Sequence, residues 1–345
     1  MLRPEGSGNL EAAPSGETPL LDIRGLKTHF ATDEGVVQAV DGVDISVGRG
    51  ETVCVVGESG CGKTVTALSV LKLIAMPPGR IAGGQILWQG RDLVPMEAGE
   101  INQIRAKEIA IVFQEPMTSL NPVYTIGDQI GEVIALHEGL SRRAVLERTI
   151  EMLTLVQIPN AARRVNDYPH QFSGGMRQRV MIAMALSCRP KLLIADEPTT
   201  ALDVTIQAQI LDLLQDMKSR LGMSIMLITH TMGVVAEVAQ RVVVMYAGKV
   251  VEEAGVEQLF ANPRHPYTQG LIRSIPRVDK PGGRKTRLQT IAGTVPKLIN
   301  PPDGCRFAPR CGYATDDCRR AQPALRELEP GHKVACIHAE ATVAP

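Results

Sequence analysis

GETVCVVGESGCGKTVT, residues 50–66, decides the fold. Thr52 to Val56 is apolar and rich in β-branched residues and predicts a buried strand, which runs straight into Gly57-Glu58-Ser59-Gly60-Cys61-Gly62-Lys63-Thr64. That run matches the phosphate-loop pattern G-x-x-x-x-G-K-[ST]. A triphosphate needs many N–H donors at close range. The loop must therefore wrap with its amides inward, and Gly57, Gly60 and Gly62 permit the backbone angles and close approach this requires. Lys63 supplies a compact positive charge to the β- and γ-phosphates and Thr64 a hydroxyl to Mg²⁺. A helix expected from Thr64 to Leu73 turns its positive end toward the nucleotide.

Bulk composition narrows the remaining choices. The chain has 345 residues, enough for a large core and two domains. Lys plus Arg and Asp plus Glu are both 37, so no basic field advertises nucleic acid as a partner. No apolar run reaches the roughly 18 residues that span a bilayer, and the N-terminus lacks a signal-peptide layout, so a soluble, cytoplasmic chain is expected. Cys54, Cys61 and Cys188 are scattered, whereas Cys305, Cys311, Cys318 and Cys336 crowd the last 41 residues.

Residues 1–20, rich in Pro, Gly, Ser, Ala and Glu, read as a flexible tail. Strand patterning runs from Leu21 through Phe30 and again from Val36 to Val47. Phe30, the one aromatic close ahead of the loop, reads either as a platform for adenine or as an ordinary half-buried strand residue. Further strands are expected at 81–90, 109–113, 191–195 and 223–229, and helices at 126–137, 141–156, 177–187 and 204–221. Gln114, Asp196 and His230 each stand at the end of an apolar strand, and Glu197 follows Asp196. Strands alternating with helices in this order predict an α/β fold. Its parallel sheet would be interrupted by an all-helical insert and carry ligand groups at the strands' carboxyl ends.

With GESGCGKT at 57–64, Gln114, FSGGM at 172–176, LLIADE at 192–197, ALD at 201–203 and His230, the chain resembles the ATPase subunits of ABC transporters. FQEPMTSLNP at 113–122, YPHQFSGGMRQRVMIAMAL at 168–186, ADEPTTALDV at 195–204 and HPYTQGL at 265–271 make it similar in detail to the dipeptide and oligopeptide importers. The resemblance implies a P-loop ABC core over residues 21–264 with an N-terminal antiparallel β subdomain and a helical subdomain at about 115–187. A C-terminal extension with four cysteines would follow at 265–345.

The same resemblance assigns roles. Ser173, Gly174 and Gly175 would reach across a head-to-tail dimer to the ATP of the opposite subunit, and Asp203 would sit at the seam. Asp196 would hold Mg²⁺ through water, Glu197 would orient and polarise the attacking water, His230 would contact the γ-phosphate, and Gln114 would reach both metal and water. Thr231 departs from the Asp that many relatives carry after the histidine. Partners would be a second, identical or related ATPase, two membrane permease subunits and, indirectly, an extracytoplasmic solute-binding protein, with di- or oligopeptides as cargo and nickel or another solute as the alternative. The chain would then lie at the cytoplasmic side of the inner membrane. ABC ATPases of DNA repair carry a long coiled-coil insert and those of translation two fused cassettes. Thr64 to Phe172 is too short for the first, and one motif set speaks against the second. Intact Glu197 and His230 argue against a non-enzymatic sensor.

The spacing Cys305-x5-Cys311-x6-Cys318-x17-Cys336 matches no zinc-finger or ferredoxin pattern. Four thiols suffice for one tetrahedral zinc site or one [4Fe–4S] cluster. The resemblance favours the cluster, with free thiols as the alternative and a cytosolic disulfide less favoured. His332 and His338 read as surface residues.

Overall fold

A computed structural model describes residues 18–115, 119–200, 202–275 and 290–341. The expected tail falls almost wholly outside this range, as does Ala201.

Two sheets carry the architecture. A small antiparallel sheet contains β1 (Leu21–Thr32), β2 (Gly35–Val47), β4 (Gly79–Trp88) and the short β5 (Arg91–Asp92) in the order β2-β1-β4-β5. The main sheet contains β3 (Thr52–Val56), β6 (Ile109–Val112), β7 (Leu192–Asp196), β8 (Ser224–Thr229), β9 (Arg241–Tyr246), β10 (Lys249–Gly255), β11 (Arg326–Glu329) and β12 (His332–Val334). Its order is β11-β12-β10-β9-β3-β8-β7-β6, with parallel pairing from β9 through β6 and antiparallel pairing at the other edge.

β3, β7 and β8 are buried at every residue, as a parallel sheet covered on both faces requires. Alternate residues serve two cores. Cys54, Val56, Leu193, Ala195, Ile225 and Leu227 face the helical insert, whereas Val53, Val55, Leu192, Ile194, Met226 and Ile228 face the antiparallel sheet, α1 (Lys63–Val70) and α2 (Ala98–Ile104). The sheet is thus clamped between two apolar layers, which fixes the carboxyl ends of β3, β6, β7 and β8 along one rim.

The insert's helices begin where their caps dictate. Thr125 accepts the Asp128 amide and Asp128 answers with a carboxylate to the Thr125 amide, which starts α3 (Ile126–Glu138). Ile126, Ile130 and Ile134 then form its buried stripe. Ser141 caps α4 (Arg142–Leu155), and the short α5 (Ala161–Arg164) follows. Ser173 caps α6 (Gly174–Leu186), which therefore starts three residues before the position expected from apolar periodicity.

α7 (Val204–Leu221) joins β7 to β8, and α8 (Met232–Val238) joins β8 to β9. Past β10 come α9 (Val256–Ala261), α10 (Pro266–Arg273) and, after the undescribed stretch, α11 (Asp316–Arg320). The C-terminal lobe is built into the main sheet: β12 pairs with β10 through Glu252 opposite Val334. His332 corrects the sequence reading. It is fully buried and its Nε2 lies 2.7 Å from Glu252 Oε1, because β12 lies against β10 and carries the imidazole inside. The same Glu252 carboxylate accepts the amides of Arg264 and His265, so one buried acid ties three segments together.

Candidate functional site

A cleft of about 600 Å³ lies along the rim of the main sheet, lined by Ala39, Gly57 to Gly60, Gly62 to Val65, Gln114, Glu197, Thr200, His230 and Leu271. The phosphate loop forms one wall. Gly57 has φ +153°, and a Cβ there would meet the Met245 carbonyl oxygen at 2.2 Å. Gly62 has φ +102°, and a Cβ there would meet the Ala39 oxygen at 2.4 Å. Any side chain at either position would displace the loop. Lys63 is nearly buried, and its ammonium donates to the carbonyls of Gly57 (2.7 Å) and Glu58 (3.1 Å). Cys61 alone of the loop turns away from the cleft into the core, where burial pushes its thiol pKa up.

The opposite wall gathers three groups that the sequence places 83 and 33 residues apart. Glu197 Oε2 accepts from Gln114 Nε2 at 3.0 Å, and Glu197 Oε1 lies 3.1 Å from His230 Nδ1. Thr200, which sequence reasoning missed, donates its hydroxyl to Glu197 Oε2 at 2.9 Å. Its position in the EPTT run was the available signal. Glu197 takes φ +46°, a left-handed conformation unusual for a residue with a side chain, and its amide is fixed by Ile228 O at 2.9 Å. Strain of this kind persists where surrounding bonds over-determine it, and here it aims the carboxylate into the cleft.

Asp196 sits at the end of β7, 3% exposed, with Oδ1 lacking any hydrogen-bond partner. Burial raises its pKa, partly offset by a hydrogen bond from Thr64. An orphaned carboxylate oxygen beside a threonine hydroxyl is a hard-oxygen donor pair that suits Mg²⁺.

Other expected site residues lie elsewhere. The Phe30 ring packs over Gly79 on the neighbouring strand and does not line the cleft, where Ala39 of β2 does. Ser173, Gly174, Gly175 and Asp203 form a separate corner. Ser173 Oγ and Asp203 Oδ1 cap α6 and α7, and the two glycines face Leu202 and Ile206. This corner contributes nothing to the chain's own cleft.

Cys305, Cys311, Cys318 and Cys336 all line one small apolar cavity, together with His265 and His338. His338 Nε2 pairs with Thr315 Oγ1 at 3.0 Å. Burial pushes the thiol of Cys336 up to about 11 and raises those of Cys305 and Cys311. Among the described residues, no three His, Cys, Asp or Glu side chains stand together as a metal-holding group. The donors fit a cluster or zinc in kind but not in their present spacing.

Among known proteins, the ABC transporter family model matches residues 40–200, and the model for the oligopeptide/dipeptide transporter C-terminal region matches 251–318. The chain is 54% identical to the probable peptide ABC transporter ATP-binding protein y4tR of Sinorhizobium fredii, covering 92% of this chain and 94% of that one. It is 51% identical to the oligopeptide transport ATP-binding protein AppD of Bacillus subtilis (92% and 96% covered) and 48% to the dipeptide transport ATP-binding protein DppD of Haemophilus influenzae (92% and 94%). In fold it is similar to MJ0796, solved as a dimeric bacterial ABC transporter cassette, with TM-score 0.61 and 26% identity over 68% of this chain and 98% of that one. A dimeric post-hydrolysis state of the same cassette, bound to ADP and phosphate, matches equally. A phosphate loop facing a Glu197-centred corner is the arrangement of an ATPase, and the chain belongs to the ATP-binding subunits of ABC transporters, in the group that carries the oligopeptide/dipeptide transporter C-terminal region.

Proposed function

We propose that this ATPase powers import of dipeptides or oligopeptides through separate membrane permease subunits, by closing head to tail on a second ATPase when ATP binds. The observation that carries the reading is the cleft itself: Gln114 and His230 both pair with Glu197 across from the phosphate loop. The peptide relatives and the C-terminal region model support the substrate class.

Within the cleft the loop amides and Lys63 hold the triphosphate. Glu197 accepts a proton from the attacking water or orients it, with Gln114 and Thr200 fixing its Oε2 and His230 its Oε1. Thr64 and Asp196, the latter through water, with Gln114, would hold Mg²⁺, which neutralises charge on the phosphates when bound. Ser173, Gly174 and Gly175 lie outside the chain's own cleft, which supports their acting on the partner's ATP. In that dimer Asp203, at the N-terminus of α7, lies at the seam.

Phe113, directly before Gln114, and Val123, Tyr124 and Leu136, beyond it on the helical insert, are exposed. Apolar surface of this kind supports docking on the permeases, at the cytoplasmic face of the membrane. No helix among the described residues is long and apolar enough to cross a membrane.

The four cysteines support a second reading. Cys305, Cys311, Cys318 and Cys336 share one cavity, which supports them as the residues that would hold a [4Fe–4S] cluster or zinc, although they do not form a metal group as they stand. Stoichiometric iron and sulfide in anaerobically purified protein is expected for the cluster; metal-free protein of full activity would discard both.

Glu197→Gln tests the main reading. Turnover is expected to fall by about 10³-fold with ATP still bound, since a general base contributes about 10²–10⁴. Near-normal hydrolysis would overturn the assignment.

A further inference from the structure

We infer that the C-terminal lobe is a working part of the nucleotide site: Arg310 neutralises and, with Tyr267, positions Glu58 of the phosphate loop, and ATP affinity depends on that grip. The inference rests on reading the cleft as the ATP site.

Glu58 lines the cleft. A carboxylate there faces a polyanion, and unpaired it would repel the triphosphate. Arg310, 252 residues further along the chain, meets it as a fork: Nη1 to Oε2 at 2.6 Å and Nη2 to Oε1 at 3.0 Å. Its side chain is only 4% exposed against 31% for Glu58, so the guanidinium is held away from solvent behind the carboxylate it meets. The guanidinium is saturated and fixed. It also donates to the carbonyls of Ile291 and Ala292 and to the Tyr246 hydroxyl, and it lies over the rings of Tyr246 and Phe307.

Tyr267 grips the same residue by its backbone, its hydroxyl accepting the Glu58 amide at 2.8 Å. Lys63 rests on the Glu58 carbonyl, so the position of Glu58 is passed to the ammonium that meets the phosphates. The side chain, amide and carbonyl of Glu58 are thus each held, at a residue that lines the cleft. The rest of the lobe braces the grip. Phe307 packs against Tyr246 and Tyr267 at 5.1 and 5.4 Å, and Arg306, 5% exposed, bonds Ala247 O and Asp41. The adjacent Gly248 amide bonds Cys61 O inside the loop at 2.9 Å.

Binding of a fluorescent ATP analogue to the full-length chain tests this. Arg310→Ala should weaken binding about 10-fold, the scale of one lost charge-assisted pair only partly felt by the ligand. Adding Glu58→Gln should restore most of it, because the repelling charge is gone. A merely structural role for Arg310 predicts no such rescue. Should Arg310→Ala not fold, Tyr267→Phe keeps the ring and removes the acceptor, and is expected to weaken binding about 3-fold. Parent-like affinity in the variants, or no rescue by Glu58→Gln, overturns the inference. Lys63→Ala is the reference: if ATP binding survives it unchanged, the reading of the cleft fails rather than the grip on Glu58.

Discussion

The two walls of the cleft are built on opposite plans. Around Glu197, itself 14% exposed, the partners are side chains that line the cleft, with His230 57% exposed. Behind Glu58 the partners are buried, saturated and braced by aromatic rings. The difference lies in the partners: those of Glu197 line the cleft where a water can reach them, whereas Arg310 is withdrawn behind Glu58, and a buried charge is screened least. The chain thus separates chemistry from positioning, and the lobe that positions comes from its far end.

The difference can be probed by stressing the buried wall first. Phe307→Ala removes the ring that packs on Tyr246, Tyr267 and His265. It should cost about 3–5 kcal/mol of stability, as for other buried aromatic truncations, read from denaturant unfolding. An effect under about 1 kcal/mol would mean that the lobe does not brace the loop.

Acid should act on the same wall. His265 is buried and its pKa is held down at about 4, because burial disfavours the imidazolium more than Glu252 favours it. The unfolded chain binds this proton from about pH 6.5 downward and the folded chain does not, so stability is full above that pH and declines toward pH 4, by up to about 3 kcal/mol. Unfolding curves for the parent and His265→Gln should differ in slope across that window. Parallel curves would remove His265 as the cause.

On the open wall the effects should appear in rate alone. His230→Ala is expected to lower turnover about 100-fold with ATP affinity kept, within the range for a positioned polar group acting on the transition state. Thr200→Val, which deletes one hydrogen bond to Glu197, should cost about 1 kcal/mol of barrier, a five- to tenfold slower turnover. A change in affinity from either variant would blur the division between the walls.

Legibility in the sequence followed the same division. β3 and the 204–221 helix lie where their patterns place them, because fully buried strands and capped helices advertise themselves locally. Gln114, Glu197 and His230 could be named in advance because the motifs that make the chain resemble ABC ATPases include them, each at the end of an apolar strand. The buried wall could not. Arg310, Tyr267 and the buried His332 depend on pairings across 252, 209 and 80 residues, which no local period encodes. Thr200 was hidden for a simpler reason, since its hydroxyl matters only once the turn after β7 folds it back on Glu197.

The most direct trial sets one variant from each wall side by side, measuring affinity for ATP and turnover at saturating ATP in Glu197→Gln and Arg310→Ala. The account predicts a crossing: Glu197→Gln binds like the parent and hardly turns over, while Arg310→Ala binds weakly and turns over like the parent once saturated. If both variants lose affinity and turnover together, the two walls do not divide the work and the account is contradicted.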